Sequence, residues 1–322
     1  MIVRWGLGEL PATLAEAGTG RPLLVRSSRW QDLELGVEPH CVWDEIPSAR
    51  IDDAAAAAGG ADGLLAAGGG SAIDLGKAVS AATGLPLVSV PTTYSGAEWT
   101  TYFGVRDPDR RLRGGGAGAH PAAAVYEPRL TLDLPRAETV GTALNALAHC
   151  GEALYVQGHN ADADEHALAG ARLIGEWLPR VVGSPRDLDA RTHLLEGAMQ
   201  GGAALAASML ALGHALAQAV GGRYGLPHGA LNAICLPPAL RFNAAVAPDA
   251  IRRFGEALGA EDAPRRVEEL ARLGGFERLR DLGVPREDLP ELARATVERA
   301  GAKANPRPAS AAEIEELLAT VW

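Results

Sequence analysis

The stretch GGGSAIDLGK, residues 68–77, decides the fold, because it follows directly on the short apolar run of residues 61–67. The apolar run is typical of a buried strand, and the segment from Ile73 to Ala82 has helical spacing. Three glycines at a strand-to-helix junction let the backbone approach an anion, toward which the first N–H groups of the helix point. The stretch predicts a strand, a phosphate-binding turn and a helix. The alternative is an ordinary tight turn, with Lys77 as a solvated helix residue.

Two further apolar runs have the pattern of strands in the same sheet. Residues 22–28 end in small polar residues, as a buried parallel strand does at its carboxyl edge, and residues 86–90 lead into a segment rich in hydroxyls. The alternation of strand and helix predicts a doubly wound parallel sheet, in which ligands gather at the carboxyl ends of the strands. The usual GxGxxG dinucleotide motif does not follow the first of these runs. Residues 113–118, RGGGAG, are predicted to form a flexible loop.

The sequence changes character after about residue 137. Stretches rich in alanine and leucine, with helical spacing, follow at residues 140–156, 163–178, 191–220 and 264–273. Few runs of β-branched residues remain in this half. We therefore predict an α/β domain over residues 1–136 and an all-helical domain over residues 137–322.

Composition argues against several classes of function. The formal net charge of -10 disfavours nucleic acids and anionic membrane surfaces as partners, since both need a basic footprint. No uninterrupted apolar run reaches membrane-spanning length. Cys41, Cys150 and Cys235 are far apart and odd in number, which supports neither a disulfide framework nor a cysteine zinc site. We expect a soluble cytoplasmic protein that acts on a small molecule and binds neither nucleic acid nor membrane.

Three of the eight histidines lie among apolar and small residues, where a solvated face is not expected. They are His149, His214 and His228. Asn145 precedes His149 by four residues, so both side chains lie on one face of a helix. Imidazole serves as metal ligand, proton donor and anion contact near neutral pH. Each histidine alone is compatible with a structural role, but the set of three predicts a functional site.

Several blocks of this sequence resemble the iron-containing alcohol dehydrogenase family. They are residues 68–77, 91–98 and 145–152, then His214, then His228 with Gly229, and the likeness extends from about Gly6 to about Pro308. Within that family the blocks PTTYSGAE, NALAHC, LPH and NPRP, which begin at residues 91, 145, 226 and 305, are most similar to the maleylacetate reductases. The resemblance implies a dehydroquinate synthase-like architecture. Its α/β domain would bind a dinucleotide, its helical domain would hold substrate or metal, NADH or NADPH would occupy the cleft between them, and the chain would form a homodimer.

The resemblance also implies a group of residues that bind the cofactor. They are Ser27, Gly69, Gly70, Ser71, Asp74, Thr92, Thr93 and Ser95. The two glycines and Ser71 would hold the pyrophosphate, and the hydroxyls after residue 91 would line the dinucleotide further along. Ser27 ends a strand where an acidic residue would favour NAD, whereas the flanking Arg26 and Arg29 favour NADP, so the choice stays open.

A second implied group occupies the positions that bind a divalent metal in the alcohol dehydrogenases. Its members are Asn145, His149, His214 and His228. Where metal-dependent members carry aspartate, this chain has Asn145, a neutral ligand that maleylacetate reductases share. Gln218 stands one helical turn after His214, where a further histidine is usual, and glutamine cannot shuttle a proton near neutral pH. These residues leave open whether iron, zinc or no metal is bound.

The resemblance implies an NAD(P)H-dependent reductase of a small keto or enoic acid. His149, His214 and His228, together with Asn145 and Gln218, would neutralise the enolate that hydride transfer creates. The candidates for binding the substrate carboxylates are Arg223, Lys303 and Arg307. Two alternatives stay open: a metal-dependent alcohol or aldehyde dehydrogenase, and a repurposed family member that binds a ligand or catalyses a redox-neutral step.

Overall fold

The structure, a computed structural model, describes residues 1–322 and contains two compact units. Unit 1 comprises Met1–Thr93 and Ala97–Thr131, and unit 2 comprises Tyr94–Gly96 and Leu132–Trp322. The division therefore lies a few residues before the predicted boundary at 136. The short excursion of residues 94–96 into unit 2 was not predicted from the sequence.

Unit 1 has a parallel sheet with helices and one hairpin. In chain order its elements are β1 (Ile2–Trp5), α1 (Leu10–Glu16), β2 (Pro22–Arg26), β3 (Cys41–Trp43), α2 (Ile51–Ala57), β4 (Gly63–Gly68), α3 (Gly70–Thr83), β5 (Leu87–Pro91), β6 (Phe103–Arg106), β7 (Leu112–Gly116) and β8 (Pro121–Tyr126). Neighbouring side chains of the strands enter different cores, because successive residues of a strand point to opposite faces. Leu64 packs with Ile73 of α3 on one face. Leu65 packs with Leu10 of α1 on the other.

The strand order of this sheet is β1-β8-β5-β4-β2-β3, and every neighbouring pair is parallel. From β2 the chain continues to β3 on one side of the sheet, and from β4 it continues to β5 on the other side. The direction of strand addition therefore reverses between β2 and β4. In open parallel sheets, ligands bind at the carboxyl ends of the strands at such a reversal. The glycine turn after β4 lies there, which confirms the predicted doubly wound sheet and explains the position of the turn.

The prediction of a flexible loop at residues 113–118 is wrong. Most of this segment forms β7, which pairs antiparallel with β6. Its glycines allow close approach, since a Cβ on Gly115 would lie 2.7 Å from the carbonyl oxygen of Phe103, and one on Gly116 would lie 2.9 Å from the Phe103 ring. A run of glycines here therefore reflects tight backbone pairing.

Unit 2 is all-helical apart from its connections, as predicted. Its helices are α4 (Arg136–Ala153), α5 (Ala161–Gly183), α6 (Leu188–Ala206), α7 (Leu212–Tyr224), α8 (His228–Asn243), α9 (Pro248–Ala257), α10 (Ala263–Arg272), α11 (Leu289–Val297), α12 (Ala300–Lys303) and α13 (Ala311–Thr320). The predicted helical stretch 191–220 is divided at residues 207–211. At this break the N–H of Ala211 donates to a side chain, the carboxylate of Glu152. None of the helices has the length and apolar character needed to cross a membrane.

Small residues bring α4 and α8 into backbone contact. A Cβ on Gly229 of α8 would overlap the carbonyl group of Gly141 on α4, so only glycine fits at position 229. This close approach places polar side chains of the two helices within hydrogen-bonding distance, because Asn232 of α8 donates to Asn145 of α4 at 2.6 Å. The packing of α4 on α8 thereby builds part of the candidate site.

Candidate functional site

The glycine turn of unit 1 has the structure of an anion-binding turn. Gly69 caps α3 without any side-chain hydrogen bond, so the first N–H groups of a 14-residue helix carry no side-chain cap. A Cβ on Gly69 would lie 2.9 Å from the Thr93 methyl group, and the N–H of Thr92 donates to Gly68 O at 3.0 Å. The structure therefore brings the predicted Gly69, Thr92 and Thr93 together at one edge of the sheet. This cradle, which any side chain would fill, fits a pyrophosphate.

Lys77 is not the solvated residue of the alternative interpretation. It is 1% exposed, and its Nζ contacts Asp74 Oδ1 at 2.8 Å, Ala97 O at 2.8 Å and Tyr102 O at 2.7 Å. Asp74 also accepts from the N–H of Gly104 at 3.3 Å. The pair thus holds the segment that leads into β6, and a contact of Asp74 with the cofactor stays a prediction.

Ser27 lies between the two arginines, Arg26 and Arg29, that were predicted to favour NADP. Ser27 follows β2 at the reversal point and makes no capping hydrogen bond with its side chain. Arg26 donates to Trp30 O at 3.3 Å, and the Arg29 guanidinium lies 5.2 Å from the centre of the Trp30 ring. Both arginines predicted to favour NADP are therefore drawn toward Trp30.

The three predicted histidines converge in unit 2. The rings of His149 on α4 and His214 on α7 are stacked, with centroids 4.9 Å apart and an interplanar angle of 17°. The His228 ring, at the start of α8, lies 5.8 Å from that of His214. His149 and His214 are buried and His228 is half-buried, as is Gln218 one turn further along α7. We call His149, His214 and His228 the histidine cluster.

Both the nitrogen and the oxygen of the Asn145 side-chain amide make hydrogen bonds beside the histidine cluster. Its Nδ2 donates to Ser95 O at 2.9 Å and lies 3.3 Å from His149 Nε2. Its Oδ1 accepts from Asn232 Nδ2 at 2.6 Å. Ser95, predicted to line the dinucleotide, therefore contributes its carbonyl to unit 2. Asn232 was missed from the sequence because its position next to Asn145 depends on how α8 packs.

Glu152 is a second residue that the sequence analysis did not assign to the site. Its side chain is 0% exposed, and its oxygens accept from the N–H of Ala211 at 2.7 Å, the N–H of His214 at 3.2 Å and the Nδ1 of His214 at 2.7 Å. His214 Nε2 is buried and has no hydrogen-bond partner within the protein. A glutamate three residues after His149, on a helix otherwise rich in alanine and leucine, was the available signal. Fully buried carboxylates are rare unless they are paired.

Two buried cysteines lie in the same unit and are not nucleophiles near neutral pH. Burial raises the pKa of Cys150 to about 12. Burial, and secondarily the charge of Glu152, raises the pKa of Cys235 to about 12. Because the reactive form of cysteine is the thiolate, these thiols fill core space.

The donors in the histidine cluster do not fit a resident divalent metal. No three His, Cys, Asp or Glu side chains are grouped so that they could hold a metal ion. The candidate ligands are neutral, and the Asn145 oxygen already accepts a hydrogen bond. The nearby carboxylate, Glu152, accepts three N–H groups. With the Asn145 oxygen and the Glu152 side chain engaged in these hydrogen bonds, the three imidazoles have no anionic protein ligand beside them, which argues against a resident iron or zinc ion.

The arginines and lysine predicted to bind substrate carboxylates are already paired at the surface of unit 2. Arg223 pairs with Asp288 and Glu291, Lys303 with Glu298, and Arg307 with Glu313. The fully buried cation of this unit is instead Arg191, which is 1% exposed and donates to Tyr94 Oη, Thr139 Oγ1 and Pro185 O. Arg191 therefore anchors residues 94–96 in unit 2.

A cavity of about 440 Å³ in unit 2 does not mark the site. Its walls include Ile234 and Pro237 of α8, Phe276 and Leu317, and none of the predicted site residues lines it. Asn232 and Ile234 are two residues apart on a helix of 3.6 residues per turn, so they point in nearly opposite directions. The cavity and the histidine cluster consequently lie against different faces of α8.

Comparisons with known proteins agree with this fold. Residues 6–128 match the family described as "Iron-containing alcohol dehydrogenase", and residues 139–322 match "Fe-containing alcohol dehydrogenase family, C-terminal". Maleylacetate reductase from Burkholderia cepacia is 40% identical over 249 residues, covering 77% of this chain and 70% of that protein. Maleylacetate reductase 1 from Cupriavidus pinatubonensis is 33% identical over 329 residues, covering 97% and 92%.

A solved structure is also similar along the whole chain. It is that of maleylacetate reductase from Agrobacterium tumefaciens, with a TM-score of 0.89 at 29% identity, covering 100% of this chain and 95% of that one. Both halves of the sequence match the same family, and the fold agrees along the full length. The chain therefore belongs to the iron-containing alcohol dehydrogenase family and is an NAD(P)-dependent oxidoreductase.

Proposed function

We propose that this enzyme is a reductase of the maleylacetate reductase type, which reduces a small unsaturated keto dicarboxylic acid with NADH or NADPH. The observation that carries the proposal is the Asn145–Asn232 amide pair beside the histidine cluster. It puts a neutral, hydrogen-bonded side chain where metal-dependent relatives place an anionic ligand. The similarity to several maleylacetate reductases at 33–41% identity supports the same substrate class.

We assign the pyrophosphate of the cofactor to the glycine turn. Gly69, Gly70 and Ser71 offer backbone N–H groups at the uncapped start of α3, and the positive end of the helix dipole favours an anion there. Thr92 and Thr93 close the turn from the neighbouring strand. Bound NADH or NADPH supplies the hydride. Ser27, Asp74 and Ser95 stay further predicted contacts of the dinucleotide.

The histidine cluster is suited to stabilise the negative charge that hydride addition creates on the substrate. Addition of hydride to a carbon–carbon double bond conjugated with a ketone leaves an enolate, which needs hydrogen-bond donors and finally a proton. We assign His214 Nε2 to the enolate oxygen, because it is a buried nitrogen without a protein partner. His149 and His228 flank it. Asn145 orients His149, and Gln218 donates or accepts hydrogen bonds without transferring a proton.

The test is a kinetic screen of the purified enzyme with maleylacetate and a panel of simple aldehydes, each with NADH and NADPH, before and after dialysis against a chelator. We expect reduction of maleylacetate that the chelator leaves unchanged and little turnover of aldehydes. Aldehyde reduction that requires added Fe²⁺ or Zn²⁺ would instead establish the metal-dependent alternative. Failure to bind either nicotinamide cofactor, measured by fluorescence titration, would favour the redox-neutral alternative.

We further propose that the enzyme is a cytoplasmic homodimer, as its family resemblance and cysteine content predict. Sedimentation analysis of the purified protein tests the oligomeric state, and a monomer at assay concentrations would contradict it.

A further inference from the structure

Glu152 carries a carboxyl group in contact with the histidine cluster, and two of its three polar partners are backbone N–H donors. The Oε2 atom lies 2.7 Å from both the N–H of Ala211 and Nδ1 of His214, and Oε1 lies 3.2 Å from the N–H of His214. An ionised carboxylate accepts hydrogen bonds and donates none, so it matches this set of three N–H groups. Both the backbone at the start of α7 and the ring of His214 are fixed by one buried side chain.

This contact determines which ring nitrogen of His214 carries hydrogen. Since the carboxylate can only accept, Nδ1 must be the protonated nitrogen. The other nitrogen, Nε2, is then the atom left for the substrate, and it is the one that lacks a protein partner in the structure. Stacking on His149 at 4.9 Å restricts rotation of the ring and keeps Nε2 in place.

We propose that Glu152 is a positioning residue, which locks His214 in the Nδ1–H form and so presents Nε2 to the reacting enolate. The kinetic part of this inference rests on the proposed reductase function. In the His214 imidazolium both ring nitrogens carry hydrogen. Transfer of the Nε2 proton to the enolate oxygen gives the enol, which tautomerises to the ketone, and leaves His214 as the neutral imidazole with hydrogen on Nδ1. Through its hydrogen bond to Nδ1, the side chain of Glu152 stabilises the positive charge of His214 before the transfer.

The substitution Glu152→Gln tests this role with little change of volume. Because Oε2 serves both the N–H of Ala211 and Nδ1 of His214, the glutamine NH₂ group faces an N–H donor in either orientation. It meets the N–H of Ala211 together with Nδ1, or it meets the backbone N–H of His214. In either orientation the carboxylate beside Nδ1 is replaced by a neutral amide and one N–H group loses its acceptor, so the preference for hydrogen on Nδ1 weakens. A matched control is Glu127→Gln in unit 1, since Glu127 is also buried and accepts two backbone N–H groups, those of Leu7 and Arg129.

Two measurements are made on the full-length enzyme. The first is NMR of ¹⁵N-histidine-labelled protein, in which long-range ¹H–¹⁵N correlations identify the protonated nitrogen, and His214→Gln assigns the signal. We expect the Nδ1–H form in the wild type and in Glu127→Gln, and a smaller fraction of this form in Glu152→Gln. The second is steady-state kinetics with maleylacetate, in which we expect Glu152→Gln to lower kcat by about 10²–10⁴-fold while KM changes by less than about 3-fold.

The outcomes separate this inference from the proposed function. A wild-type His214 that carries hydrogen on Nε2 alone would overturn the inference, even if Glu152→Gln does not fold. So would a folded Glu152→Gln enzyme whose kcat stays within about 3-fold of the wild type. If the wild type does not reduce maleylacetate, the proposed function fails, and the NMR measurement still decides whether Glu152 sets the form of His214.

Discussion

Gly229 tests the claim that close backbone packing of α4 and α8 builds the site. In Gly229→Ala the new Cβ would overlap the carbonyl carbon and oxygen of Gly141, which are backbone atoms that cannot rotate away. The helices must separate by roughly 1 Å to restore an ordinary van der Waals distance of about 3.5 Å. Such a shift takes the Asn232–Asn145 hydrogen bond, now 2.6 Å, to the limit of hydrogen-bonding distance.

The expected loss of stability follows from these two effects. Overpacking in a filled core costs about 1–3 kcal/mol, and a weakened buried hydrogen bond costs about 1 kcal/mol. Replacing glycine with alanine returns about 0.4–1 kcal/mol by restricting the unfolded chain. The net loss of about 2 kcal/mol corresponds to a fall in Tm of roughly 4–8 °C for a domain of this size.

The assay is thermal unfolding followed by circular dichroism, together with kcat for maleylacetate. The matched control is Gly141→Ala on the facing helix, where the new Cβ would lie 3.5 Å from its nearest neighbours, an ordinary contact. We expect the control to match or slightly exceed the wild type in Tm. The reasoning is refuted if Gly229→Ala keeps the wild-type Tm and kcat, or if both alanine variants lose the same stability.

Three further predictions concern other parts of the chain. Burial raises the pKa of Glu98, so its stabilising contribution is complete below its ordinary pKa and is lost as pH rises through the raised value. Wild-type Tm should therefore fall more steeply than that of Glu98→Gln as pH rises above the ordinary glutamate pKa of 4.5, and parallel curves would contradict this. Gly69→Ala fills the cradle beside Thr93 and should raise the Kd for NADH and NADPH by about 10-fold or more in fluorescence titrations, whereas unchanged Kd values would remove the pyrophosphate from this turn. Dialysis against a chelator, followed by metal analysis, should leave kcat within about 2-fold, and recovery of lost activity with Fe²⁺ would show that the reaction requires a metal.

The sequence predicts those strands and helices that can be recognised from a short run of consecutive residues. β4, β5 and the first helix after the glycine turn were predicted, because a fully buried strand is a continuous apolar run with turn residues at its end. β8 was missed, since its alanine-rich sequence PAAAVY resembles many other alanine runs in this chain. α8 was missed because Pro237 and Pro238 lie inside it, and proline normally ends a helix.

The candidate site shows the same division between local and long-range information. Histidines in apolar segments are conspicuous, so His149, His214 and His228 could be selected from the sequence alone. Their partners could not, because the contacts of Glu152 and Asn232 depend on how α4, α7 and α8 pack against one another. The distances between these side chains depend on how closely the helix backbones approach each other at glycines such as Gly229. The hydrophobic pattern of a single helix does not show this.

The three residues Tyr94–Gly96 have a consequence for anyone who wishes to excise the helical domain. A fragment cut at Leu132 would retain all ten helices of unit 2 yet lose Tyr94 Oη, leaving the buried guanidinium of Arg191 with Thr139 and Pro185 as its remaining acceptors. Asn145 would lose the Ser95 carbonyl in the same cut. An autonomous version would have to reintroduce the tripeptide, for instance through a permuted chain that fuses it ahead of residue 132.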